Sequence, residues 1–242
     1  MNNGIGTALI VGIGWLMSLC FHEFGHALIA YIAGDKSVKD KGYLTLNPLK
    51  YTDPGLTLVI PLLILMIGGI ALPGAAVYID YRYVRNRAWM SLVSLAGPVF
   101  SLVALLIIAV PFMFNLWPDT HGWLYASFAL LALLESVCIL LNVLPIPPLD
   151  GFGVIRPWLP PTVREAANKF GRYGIWIVFL ALWFVRPLNE LMWTTAYIMI
   201  SYLNIEPAAA GDGYNAFQHQ SYLLMAVIVV VLIITNRNKK TA

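Results

Sequence analysis

Residues 18–34 read SLCFHEFGHALIAYIAG, an apolar stretch with His22, Glu23 and His26 at its centre. Residues four apart share a helix face, so His22 and His26 present two imidazoles toward one point, with Glu23 beside them. HExxH on a helix is the arrangement in which two histidines hold zinc and the glutamate acts as general base. Zinc takes neutral imidazole nitrogens, and a nearby carboxylate can remove a proton from water at the metal. A lone histidine in a buried helix is more often a hydrogen-bonded packing residue. Three ionisable groups within five residues of an apolar helix are costly, however, and such groups are functional candidates by default.

Two histidines leave a catalytic zinc one protein ligand short. The candidate is Asp150, in NVLPIPPLDG. Pro145, Pro147 and Pro148 cannot continue a helix, so the backbone unwinds where it leaves the preceding apolar run. Gly151 then permits a tight turn behind the carboxylate. Such a bend can swing Asp150 back to the depth of His22 and His26. It is equally compatible with a helix-ending turn at the membrane surface, with Asp150 in water.

These residues sit in a chain that is built for lipid. Of 242 residues, 60% are hydrophobic and 11% charged, where soluble domains carry about 25% charged residues. The two cysteines, Cys20 and Cys138, lie in apolar runs, which argues against a disulfide framework. The start, MNNGIGTALI, has no basic region and does not read as a cleaved signal peptide. Apolar segments at 4–34, about 88–114 and 123–144 are each long enough to span, as is 174 to about 203, interrupted at Arg186 and Pro187. A shorter run, about 221–235, is read as a last span. Residues 55–79 are apolar but broken by Pro61, Gly68, Gly69, Pro73 and Gly74.

Charge placement decides how that broken stretch is read, because cytoplasmic loops carry the Lys/Arg excess. A single crossing would put the loop of Lys36, Lys39, Lys41 and Lys50 opposite the loop of Arg82, Arg85 and Arg87. A re-entrant path puts both on one side, together with the 145–173 loop and the basic C-terminal tail. The expectation is therefore an all-α polytopic membrane protein. It has about five spanning helices, plus a re-entrant, possibly β-hairpin-like segment near 55–87. The whole chain, 1–242, reads as one domain, with a core at about 4–160 and accessory helices at about 164–242. The C-terminus is expected in the cytoplasm and the histidines nearer that side. Counted back from Gly34, the HExxH lies roughly 12 to 18 Å deep.

HEFGH followed by NxxPxPxLDG resembles the site-2 protease family of intramembrane zinc metalloproteases. AGPVFS at 96–101 is similar to that family's AGPxxN segment, and GYLTLNPLKYTDP and GGIALPGAAVY are similar to its short bacterial members. The resemblance covers roughly residues 10–160. It implies one zinc per chain held by His22, His26 and Asp150, with Glu23 as general base. It also implies a membrane-embedded β-like element, after the HExxH helix, that can pair with substrate. The expected activity is cleavage of transmembrane segments of membrane-protein substrates in the bacterial cytoplasmic membrane, with no nucleic-acid partner.

Ser101 stands where the family pattern has asparagine. If that asparagine holds substrate or the oxyanion, either Ser101 does so less well or Asn142 covers the role; the alternative for Asn142 is an interhelical hydrogen bond. Glu135, seven residues before Asn142, lies on the same helical face. It is either a partner orienting a ligand imidazole or a buried structural carboxylate. His121 and His219 fall far from the metal on this topology, and Arg186 and Glu190 read as a local ion pair. Two rival readings use the same residues: a metal-ion transporter with a His22, His26, Asp150 and Glu135 transit site, and an inactive relative that binds helices without cutting them.

Overall fold

The structure, a computed structural model, describes residues 3–50 and 77–220. Helix α1 runs Gly4–Ala33. The Asn3 side chain caps it by accepting from the Gly6 N–H at 3.0 Å. It ends at Gly34, whose φ of 128° lies in a region that only glycine enters freely. A short helix α2, Ser37–Asp40, follows. Helix α3 spans Arg87–Met113 and is capped by Asn86, which accepts from Trp89 N–H. Helix α4 spans Trp123–Val143 and stops before the proline run. Then come α5 (Asp150–Ile155), a 3-10 turn at Arg156–Trp158, α6 (Pro161–Phe184), α7 (Arg186–Tyr202) and α8 (Pro207–Gln218).

Helix α4 is the centre. Every residue from Ala129 to Ile139 is buried, because α1, α3, α7 and α8 all pack around it. A helix apolar on every side has no stable place except inside. The outer faces of α1 and α3 are apolar too, and there Ile5, Leu9, Ile13, Leu102, Leu106 and Ile107 stay exposed. That pattern suits a protein whose solvent is hydrocarbon. Helices α1 and α3 touch closely: Gly25 faces the Ala96 carbonyl and the Phe100 ring, leaving no room for a side chain. Small residues at such contacts let backbones approach.

Helices α1, α3 and α4 match the expected spans within a residue or two. The expected span at 174 to about 203 takes a different form. Among the described residues, three helices are long and apolar enough to cross a membrane, and a fourth span exists only if the bent pair α6–α7 counts as one. Within that pair, Trp176–Phe184 and Arg186–Tyr202 meet at 93°. Pro187 supplies no N–H and clashes with a continuing turn, so the helix breaks at Val185, beside the interruption expected at Arg186 and Pro187. Arg186 Nε does donate to Glu190 Oε1, at 2.6 Å. The expected last span, about 221–235, and most of the expected re-entrant segment lie outside the described residues. Its described end, 77–86, is irregular, and no strand occurs among the described residues. Helix α8 was not read from the sequence. Its PAAAGDGYNAFQ has no strong apolar stripe, and packing against α4 decides it.

Candidate metal centre

The second half of α1 presents His22, Glu23 and His26 inward, each no more than 7% exposed. Both imidazoles are oriented from α3. The Nδ1 of His26 donates to the Val93 carbonyl at 2.7 Å. A carbonyl only accepts, so Nδ1 carries a proton, and in the neutral ring Nε2 keeps a lone pair. The Nδ1 of His22 lies 3.1 Å from Ser101 Oγ.

Asp150 is delivered from the far side of the sequence. The proline run ends α4, and α5 starts at Asp150 itself. The following turn is fastened to α3: the Ser91 hydroxyl donates to the Val154 carbonyl at 2.6 Å, and Trp158 Nε1 donates to Ser91 Oγ at 2.9 Å. Gly151 matters for a reason other than the expected turn. Its φ is not left-handed, but a Cβ there would collide with the Val143 carbonyl. Clearance, not conformational freedom, requires glycine.

The three side chains converge. His22 Nε2 lies 3.1 Å from His26 Nε2, 3.2 Å from Asp150 Oδ2, and His26 Nε2 lies 3.3 Å from Asp150 Oδ1. Ligands about 2.0 Å from a tetrahedral zinc sit about 3.3 Å apart, so these separations are those of a zinc site. Asp150 Oδ2 is buried and receives no hydrogen bond. Lone pairs facing one another without donors repel, and a shared divalent cation satisfies them all. Two imidazoles and a carboxylate form a donor set zinc accepts. Among the described residues no other group of three His, Cys, Asp or Glu could hold a metal.

Glu23 is 3% exposed, close enough to His26, His22 and Asp150 to interact electrostatically. Its Oε2 accepts from the Val77 N–H at 3.0 Å. The 77–85 segment is in turn fastened to the end of α1: Asp35 Oδ2 accepts from Asp80 N–H at 2.8 Å, and Lys41 Nζ donates to the Tyr78 carbonyl at 2.8 Å.

Sequence reasoning missed Gly97. A Cβ on it would press into Nε2 of both histidines, so α3 forms one wall of the site with bare backbone. The signal was there, a glycine beside Pro98 inside an apolar helix, a position that calls for a packing or functional reason. The Val93 carbonyl and Val77 N–H carry no side-chain signature. Of the other candidates, Ser101 meets His22 as described. Glu135 is 1% exposed, facing the Ser101 and Ser18 hydroxyls. Asn142 turns its amide nitrogen to the Cys138 carbonyl of its own helix at 3.1 Å. His121 and His219 lie toward the opposite end of α4 and of α1, away from the three ligands.

Known proteins are similar to this chain over most of its length. Over 211 residues, 86% of this chain and 80% of the relative, it is 45% identical to "Putative zinc metalloprotease Rip2" of Mycolicibacterium smegmatis. The Mycobacterium tuberculosis protein of that name is 40% identical, over 86% of this chain and 79% of its own length. This chain belongs to the site-2 protease family. A more distant relative of this site-2 protease, "Putative zinc metalloprotease YwhC" of Bacillus subtilis, is 37% identical over 74% of the chain and 81% of its own length. No protein-family model matches the site-2 protease sequence, and no solved structure does. With the ligand geometry, these relatives make it a zinc metalloprotease.

Proposed function

We propose that this zinc metalloprotease is an intramembrane endopeptidase that cuts transmembrane segments of other membrane proteins. One observation carries the reading: the His22 and His26 donors, buried on a helix long enough to span a bilayer, converge with a carboxylate oxygen of Asp150. Counted to the end of α1 at Ala33, they lie roughly 10 to 16 Å inside it. Soluble peptides would have little reason to reach such a site.

The roles follow from the residues. His22, His26 and Asp150 hold one zinc, which when bound polarises a carbonyl and makes water a nucleophile near neutral pH. Glu23 takes a proton from the attacking water and returns it to the departing amine. The Val77 N–H fixes one of its oxygens, leaving the other to carry that proton. Ser101 and Asn142 are the candidates for holding the substrate carbonyl or the oxyanion. A helical substrate must open locally to expose its carbonyl, and the irregular backbone around Val77 could hold the opened strand by β-addition. The Lys- and Arg-rich loops support a reading in which this end of the bundle, and the C-terminus, face the bacterial cytoplasm.

The test is co-expression of wild type and Glu23→Gln with single-span substrates, alongside zinc analysis of both purified proteins. Loss of cleavage with zinc retained supports the protease. Cleavage unchanged in the variant rejects Glu23 as the base.

A further inference from the structure

Beside the metal centre lies a cavity of about 190 Å³, walled by Tyr81, Met90, Ser94, Gly153, Arg156 and Arg164. Its floor continues the wall of the site. A Cβ on Gly153 would collide with the Ser94 hydroxyl, so α5 and α3 meet there with no side chain between them. Gly153 lies one turn beyond Asp150 on α5, roughly 5 Å along the axis. Ser94 lies one turn before Gly97, the residue that faces Nε2 of both histidines. A group held in this cavity is therefore a close neighbour of whatever reacts at the metal.

The cavity is cationic, and its charges are not matched from within. Arg156 and Arg164 form no ion pair among the described residues. Carboxylates on the flanking elements are engaged elsewhere: Asp80 with Arg82, Glu165 with Lys169, and Asp150 with the two histidines. The Nε of Arg156 is buried and has no hydrogen-bond partner, an unmet donor that an incoming acceptor would satisfy. The backbone carrying Arg156 is held on both sides, because Val154 and Trp158 are each fastened to Ser91 of α3. A guanidinium fork matches a carboxylate or a phosphate. The position beside the metal favours a group that arrives with the substrate.

We propose that this cavity is a substrate subsite for the carboxylate of an aspartate or glutamate, with Arg156 as its main partner and Arg164 beside it. An extended chain covers about 3.5 Å per residue, so the acidic residue lies within about four residues of the cleaved bond. The proposal rests on the endopeptidase reading above and deepens it by saying where along a segment the enzyme cuts. Acidic residues are rare inside spanning segments, so the preference directs cleavage toward a segment's end.

The experiment presents the full-length protein, in phosphatidylcholine vesicles, with paired single-span substrates carrying glutamate or glutamine at successive positions on either side of the cut. The readout is the ratio of kcat/KM for the acidic over the amide substrate. At one position wild type is expected to favour glutamate by about tenfold, chiefly through KM. Arg156→Gln is expected to bring that ratio close to one and Arg156→Lys to keep part of it, with zinc content and thermal midpoint as folding controls. Where Arg156→Gln does not fold, Arg164→Gln is expected to lower the ratio. The proposal is overturned if wild type shows no acid preference at any position, or if the preference survives in the glutamine variants. It is overturned as well if glutamate and glutamine substrates are equal while phosphatidylglycerol raises activity in wild type and not in Arg156→Gln, which would mark a lipid-phosphate site. If wild type cleaves neither substrate, the endopeptidase reading fails instead. The subsite is then decided by binding of the same peptides, fluorescently labelled, to wild type, and equal affinity for the glutamate and glutamine peptides would overturn it.

Discussion

Glu23 Oε2 and the Val77 amide are joined by a 3.0 Å hydrogen bond across 54 residues of sequence. The bond ties the proposed general base on α1 to the backbone that emerges from the broken apolar segment. Glutamine at position 23 still has a carbonyl oxygen for that N–H but cannot take a proton. Glu23→Gln is expected to lower the cleavage rate by about 10²–10⁴-fold, with zinc content and thermal stability close to wild type. A variant that loses zinc as well would show that Glu23 is a ligand rather than a base.

Removing a ligand has a different signature. Asp150→Ala leaves the two Nε2 atoms of His22 and His26, 3.1 Å apart, without their anionic partner. Zinc content is expected to fall from about one per chain toward zero, since a catalytic zinc needs three protein ligands. Chelation of the wild-type protein should abolish cleavage, and added zinc should restore it. Cleavage that survives metal removal would refute the metalloprotease assignment.

Gly97 tests the wall of the site. A methyl group at this position collides with both ligand imidazoles. Gly97→Ala is expected to destabilise the protein by about 1–3 kcal/mol through overpacking and to impair zinc binding. Gly12 is the control, because a Cβ there meets nothing within 4 Å. Gly12→Ala should be neutral or stabilise by up to about 1 kcal/mol, as alanine favours a helix interior. Equal effects in thermal melts would show that α3 does not press on the site.

Asp35 tests the support of the catalytic base. Fully buried, it accepts from Ser37 N–H and O–H through Oδ1 and from Asp80 N–H through Oδ2. Alanine leaves those donors without a charged acceptor, which costs about 2 kcal/mol. It also frees the 77–85 segment that holds Glu23. Asp35→Ala is expected to reduce kcat more than zinc affinity. A variant with full kcat would mean that the Val77 contact does not set the base.

The HEFGH spacing settles that two imidazoles and a carboxylate share one face, because helix geometry is local. The lengths of α1, α3 and α4 were legible for the same reason: bilayer thickness and backbone hydrogen bonding set them residue by residue. Asp150 was legible only in part. Its prolines forbid a helix, but whether the bend turned inward depended on Ser91 and Trp158 pinning the segment to α3. The interruption beside Arg186 was legible because Pro187 forbids a straight helix, but its 93° angle and the helix at Pro207–Gln218 were not, since both depend on packing against elements far away in sequence.

By itself the sequence determined which groups could bind a metal and which stretches had to be buried in lipid or protein. Only the tertiary structure decided that Asp150 meets His22 and His26 within 3.3 Å and that bare backbone at Gly97 walls the site. The reason is physical. Helical periodicity and hydropathy act between near neighbours, whereas a coordination site is made of directional lone pairs brought together from separate helices, and the packing of those helices alone fixes their distances.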